Sequence, residues 1–401
     1  MIAQAFAFGT TNYVFGLFQK PIAAEFGASF KELGVGMTLI MAASAVIGPF
    51  LGYALDRYSI RRGIMVAGAA CMGVGFACMS LASSLWVLAF ALGCLVGLGV
   101  PALGAHGTSK VVANWFIRGR GQALGICHTG TSAGGLLFPP LTALAIASVG
   151  WRGALLYLTA ALFLIAIPLV WFVMVNRPED LGLTADGDGE ASVTGPAAIA
   201  GAGAHVGWTL RSLLHEWNFW IIALSIGLSG ACMSSVVANL HPYATDLGIG
   251  SGSASLLMSC YATSGIAGKL MFGALADHID VRYGMWLALG IVAIYLSVLL
   301  SHASYGPLAA ASLAGGLGTG GILPLWGAMI GRCYGREAFG RVMGLMGPIM
   351  GPLLWSVFPL TGWIRDRTGN YDGAFVGFLA AITVAACLMA CLRPPQREPG
   401  T

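Results

Sequence analysis

Long apolar runs separated by short charged interruptions dominate the chain. A helix that spans a bilayer needs about 20 apolar residues, so stretches free of Asp, Glu, Lys and Arg mark the candidates. They cover 1–19, 33–55, 63–109, 121–151 and 153–176, then 217–245, 247–268, 283–331, 342–364 and 373–392. Two of them, 63–109 and 283–331, are too long for one helix. Each contains a polar or proline-bearing break, at Ser83-Ser84 and at Tyr305-Gly306-Pro307. Splitting both gives the expected fold class, an all-α integral membrane protein of twelve transmembrane helices in two six-helix pseudo-symmetric halves. The halves are an N-terminal bundle over 1–176 and a C-terminal bundle with a short cytoplasmic tail over 217–401. Between them, 177–216 is the one long polar segment. It holds Asp186, Asp188, Glu190 and a Gly/Ala run, the composition of a flexible cytoplasmic linker.

Composition supports the pattern. The 401 residues are 57% hydrophobic and only 9% charged, against about 25% charged in an ordinary soluble domain. So few charges cannot cover a soluble surface of this size. A cytosolic enzyme is excluded, and with no basic tract so is a nucleic-acid binder. Lys and Arg placement sets the orientation. With the amino terminus cytoplasmic, inside segments hold fourteen cations and outside segments four (Lys31, Arg152, Arg365 and Arg367). Both termini are therefore expected inside, in a plasma membrane, the inner membrane of a bacterium. The first cation is Lys20, so the first apolar run lacks the basic start of a secretory signal. That run also begins without a polar lead, and the natural start lies either at Met1 or upstream of it. Nine cysteines form no Cys-x-x-Cys pair and read as small buried hydrophobes, with no metal site.

The two halves also resemble each other. Gly52 to Gly63, GYALDRYSIRRG, answers to Gly273 to Gly284, GALADHIDVRYG, at an offset of 221. Lys20 to Gly27 answers to His241 to Gly248 at the same offset, and Gly121, Gly125, Pro140 and Leu141 recur 219 residues later. This is a parallel duplication, a plan in which the substrate site lies between halves near the bilayer midplane.

The Gly-x-x-x-Asp-Arg-x-x-x-Arg-Arg-Gly pattern resembles the signature loop of the major facilitator superfamily, and the resemblance extends over essentially the whole chain. Asn114 to Ile126 (NWFIRGRGQALGI), Gly335 to Gly344 (GREAFGRVMG) and Asp366 to Phe375 (DRTGNYDGAF) are similar to the monocarboxylate porter and oxalate/formate antiporter branch. In the loop, Asp56 can accept charge-assisted bonds from Arg57, Arg61 or a neighbouring helix terminus in one access state only. Gly52, Asp56, Arg57, Arg61, Asp277 and Arg282 are the candidate conformational latch; the bland alternative is a plain positive-inside loop.

Ionisable groups at bilayer depth are costly and mark function by default. No Asp or Glu lies deep in a predicted span. Lys20, His106, His128, His241 and Lys269 remain, with Lys110 near the cytoplasmic side and a polar patch of His128, Thr129, Thr131 and Ser132 in helix five. Tyr261 and Gly265 share the face of Lys269 by helical spacing. The resemblance implies that Lys269, directly before Leu-Met-Phe-Gly, binds a substrate carboxylate, and that Lys20 matches a lysine of the monocarboxylate porters. Lys20, Lys269, Tyr261 and His241 are the candidate substrate-binding residues. Snorkelling lysines and an interfacial histidine are the structural alternatives.

The expected function is secondary active transport of small organic anions, monocarboxylates first, by alternating access. The expected chain is a monomer with no cofactor and no enzymatic activity, and because no Gly-Lys-Ser/Thr phosphate loop is present, ATP-driven transport is not expected. Two departures from the resembling family matter, the first for coupling and the second against a dicarboxylate substrate. Gly265 stands where proton-coupled porters carry Asp, and helix eleven lacks the lysine of the oxalate antiporters. Proton symport, through His241 or Lys20, therefore stands beside anion exchange and uniport. Export of a lipophilic compound is the remaining alternative.

Overall fold

The computed structural model describes residues 1–57, 61–104, 107–108, 111–112, 115–116, 120–176, 178–183 and 210–392. All regular structure among them is helical. We number the membrane-crossing rods α1 to α12. Rod α1 is assembled from Ile2–Phe8, a π-helical turn Gly9–Tyr13 and Phe15–Phe26. Then come α2 (Phe30–Arg57), α3 (Arg61–Ser80) and α4, which is built from Leu85–Phe90, a π-helical stretch Ala91–Val96 and Gly97–Leu103. Rods α5 and α6 share the helix Arg120–Ala161, broken where Gly150 takes φ 75°, and α6 continues to Val173. In the second half, α7 is Trp217–Asp246, α8 Ser251–His278, α9 Val281–Leu300 and α12 Asp372–Ala390.

Rods α10 and α11 lie within the helical segment Tyr305–Thr368. They are two arms and not one rod. In a straight helix Trp326 and Met346 would stand about 30 Å apart, yet the indole Nε1 is 3.4 Å from the Met346 sulfur. The breaks predicted from sequence are found here. Ser84 caps α4 by accepting from the Val87 N–H, and α10 opens at Tyr305 behind Ser304.

Nine stretches among the described residues are long and apolar enough to cross a membrane. The other rods escape that count for physical reasons. The π turn cuts α1, α5 and α6 run together as Ile126–Val173, and α8 is diluted by Ser, Gly, Thr and Lys269. Cys94, Cys387 and Cys391 are exposed on the outer surface, which corrects the expectation of uniformly buried thiols. In a bilayer that surface meets hydrocarbon, where a thiol costs little.

Helix packing within each half depends on close backbone approach. A side chain at Gly134 of α5 would collide with the α1 backbone at Ala5 and Gly9, and one at Gly316 of α10 with the Tyr261 carbonyl of α8. The π turn in α1 is held by Thr10 and Thr11, whose hydroxyls donate to Phe6 O and Ala7 O at 2.6 Å each. It lies on the rod that faces the other half.

The halves meet along three pairs of rods. Gly16 of α1 abuts Ala238 and Pro242 of α7. Ser259 of α8 donates to Leu136 O of α5 at 2.8 Å, and Thr38 of α2 donates to Trp355 O of α11 at 2.7 Å. We call the face at which α1 starts and α12 ends the terminal face. The linker assignment over 177–216 falls mostly outside the described residues.

Candidate functional site

Between α5 and α8, just to the terminal side of mid-rod, Lys269 reaches across from the second half to the first. Its ammonium donates to Thr131 Oγ1 at 2.8 Å, Ser132 Oγ at 2.9 Å and, more weakly, His128 O at 3.4 Å. All three acceptors are neutral oxygens of α5. No carboxylate lies within ion-pair range of Lys269 among the described residues. A partly buried cation in a low-dielectric setting without a counter-ion is a ready partner for an anion. Beside it, Gly135 accommodates the Tyr13 ring, and a Cβ at Gly265 would stand 3.5 Å from Ser132 Oγ. One turn before Lys269, α8 itself contributes no side chain, and the Ser132 hydroxyl and the Gly316 carbonyl close in on the buried glycine.

Tyr261, two turns earlier on α8, is buried, its ring centroid 6.0 Å from that of Tyr295. It packs into the second half.

Lys20 and His241 occupy a different level. Lys20 stands about 9 Å below the end of α1 at the face opposite the termini, whereas Lys269 stands about 27 Å along α8 from that face, at 1.5 Å per helical residue. In this conformation the two lysines stand at different depths, and one small carboxylate does not span them. Lys20 instead pairs with Asp246 of α7 at 2.6 Å, and Arg365 of α11 holds the same carboxylate at 2.9 Å. His241, buried, shares a hydrogen bond of 3.1 Å with Ser251.

This level forms a charged closure between halves. Asp366 of α11 accepts the Phe30 and Lys31 backbone N–H groups, each at 2.9 Å, so an aspartate of one half caps the first turn of α2 in the other. The Arg365 guanidinium lies 3.5 Å from the centroid of the Phe30 ring. Sequence reasoning missed this closure. Its one legible element was Ser29-x-x-Glu32, the local capping box, which forms with Ser29 N to Glu32 Oε2 at 2.9 Å.

Of the candidate latch, Arg282 is described in full. It pairs with Asp280 at 2.8 Å and donates to Leu392 O at 3.3 Å. Gly52, Asp56, Arg57 and Asp277 lie on helical backbone and Arg61 opens α3, but their side-chain surroundings fall outside the described residues, as do His106 and Lys110 altogether.

Comparison with known proteins decides the family. The Major Facilitator Superfamily model matches residues 1–250 and 223–399. The chain belongs to the major facilitator superfamily. Human monocarboxylate transporter 11 is 30% identical over 398 residues, covering 93% of this chain and 78% of that protein. The uncharacterized MFS-type transporter YcxA of Bacillus subtilis is 25% identical over 359 residues, covering 85% and 81%. Among solved structures, a bacterial homolog of the human lysosomal transporter Spinster, in an inward-facing and occupied conformation, superposes with a TM-score of 0.70. It covers 97% of this chain and 94% of its own at 13% identity, which supports the fold alone. This superfamily member is a multi-pass membrane transporter and not an enzyme, and it resembles the monocarboxylate branch.

Proposed function

We propose that this transporter moves small monocarboxylates by alternating access, with Lys269 as the residue that binds the carboxylate. The observation that carries this reading is a lysine held across the two halves by neutral oxygens only. An arriving carboxylate supplies the missing negative charge and finds donors from both halves. The similarity to monocarboxylate transporter 11 along nearly the whole chain points to the same substrate class. The fourteen-to-four bias of cations supports a cytoplasmic terminal face.

Charge balance bears on coupling. With substrate bound, Lys269 and the carboxylate cancel. Without it, the site carries a lone positive charge, whose passage through the membrane interior costs several kcal/mol. This favours exchange of one anion for another over reorientation of the empty carrier. Proton-linked transport is the second reading, and the polar cluster of His241, Ser251 and Lys20 is where it would act.

Uptake of labelled lactate, pyruvate, formate and oxalate into proteoliposomes tests both. Monocarboxylates are expected to enter and oxalate to lag. Preloaded unlabelled substrate is expected to accelerate entry more than an imposed pH gradient does. Uptake of none of the monocarboxylates sinks the substrate assignment, and gradient-driven accumulation without internal substrate decides for proton linkage.

A further inference from the structure

The lysine ammonium has three N–H donors. Two are well used, on Thr131 and Ser132 at 2.8 and 2.9 Å, and the third reaches only the His128 carbonyl at 3.4 Å. That distance lies beyond the usual range for a good N–H···O bond. The two hydroxyls are not equivalent. Thr131 donates its own proton back to His128 O at 2.9 Å, just as Thr129 donates to Ile126 O at 2.7 Å. Ser132 accepts from Lys269 and is in hydrogen-bonding contact with the Tyr13 hydroxyl of α1, but among the described hydrogen bonds it donates to no carbonyl of α5. Its oxygen is buried and stands, with the Gly316 carbonyl, in van der Waals reach of the spot where a side chain at Gly265 would begin.

We propose that Ser132 is a ligand of the substrate carboxylate and that Thr131 is the positioning residue that keeps Lys269 in place beneath it. This rests on the reading that Lys269 binds the carboxylate. One carboxylate oxygen takes the poorly used third N–H of Lys269, and the other accepts the Ser132 O–H. The substrate is then held by one donor from each half, so binding itself joins the halves. Two donors match the two oxygens of a single carboxylate, and a second carboxylate on the same molecule finds no donor in this pair.

Concentration-dependent uptake of labelled pyruvate by reconstituted full-length variants tests the proposal. Ser132→Ala is expected to raise the half-saturation concentration about tenfold, the loss of one hydrogen bond to a charged group, with turnover at saturation kept. Ser132→Thr retains the hydroxyl and is expected to restore half-saturation, whereas Ser132→Cys, nearly isosteric but a weak donor, is expected to lose it as Ala does. Ser148→Ala, exposed near the far end of α5 with its hydroxyl on Ala145 O at 3.1 Å, serves as a control with unchanged kinetics. Ser132→Asp sets a fixed anion beside Lys269 and is expected to abolish uptake while the protein still elutes as a folded monodisperse species. A wild-type half-saturation concentration in Ser132→Ala, or a fall in turnover alone, overturns the proposal and reduces Ser132 to helix packing. Wild-type protein that takes up no monocarboxylate overturns the functional reading together with it.

Discussion

Asp366→Asn is the most informative perturbation of the closure between halves. The native carboxylate accepts from Phe30 N and Lys31 N at 2.9 Å each, one bond per oxygen. Asn keeps a single acceptor oxygen and loses the charge that complements the positive end of α2. An N-cap contact contributes about 0.5–2 kcal/mol and a charge at a helix terminus about 0.3–1 kcal/mol. The contacts are solvent-exposed, so solvent screening argues for the lower part of these ranges, and we expect a loss of about 1 kcal/mol. This corresponds to a roughly fivefold shift away from the closed state, since 1.4 kcal/mol is tenfold. Hydrogen exchange read by mass spectrometry on the protein in lipid nanodiscs reports it directly. Amides of Phe30 and Lys31 should exchange about fivefold faster, while the Ser29–Glu32 capping box, entirely local, remains as an internal reference. Unchanged exchange at both amides refutes the view that Asp366 fastens the halves. Equal acceleration along the whole of α2 refutes it too, because that pattern means general destabilisation.

Other substitutions separate closure from binding. Lys20→Met should slow turnover yet leave equilibrium binding of pyruvate within about threefold, because Lys20 is occupied by Asp246 at 2.6 Å; a hundredfold loss of binding would return Lys20 to the substrate site. Gly134→Leu forces a side chain into the α1 backbone at Ala5 and Gly9, and thermal unfolding in detergent should show destabilisation by about 1–3 kcal/mol. In the α8–α9 loop, hydrogen bonds from Arg282 hold the Asp280 carboxyl below its ordinary value of 3.8. Its contribution to stability is therefore complete above that value and lost as pH falls through the lower folded one. Midpoints for wild type and Asp280→Asn should differ at neutral pH and converge only in that acid range.

How far the structure was legible in the sequence differs from place to place. Rod boundaries were readable because charge, proline and serine mark them: Ser84 and Tyr305 begin rods where the apolar runs were split. The duplication was readable as a constant offset. The π turn at Gly9–Tyr13 was not, since Thr10 and Thr11 look like ordinary helix residues until their hydroxyls are seen bonded back to Phe6 and Ala7. The site was half visible. Lys269 stood out as a cation inside an apolar run, and the polar patch at His128 to Ser132 was noted. Their meeting was not, because the contact joins residues more than 130 positions apart on different halves, and helical periodicity reports only which residues share one rod. The cap of α2 by Asp366 was hidden for the same reason: capping rules search a helix's own first turn, and here the acceptor lies 336 residues further on.

Equilibrium binding of labelled pyruvate to purified wild-type and Lys269→Gln protein in nanodiscs tests the central claim most directly, since it needs neither turnover nor a gradient. Removing one member of a partly buried ion pair costs about 2–5 kcal/mol. Saturable binding by the wild type and a loss of about a hundredfold in Lys269→Gln, with partial recovery in Lys269→Arg, is the predicted result. Binding by Lys269→Gln within twofold of the wild type would contradict it.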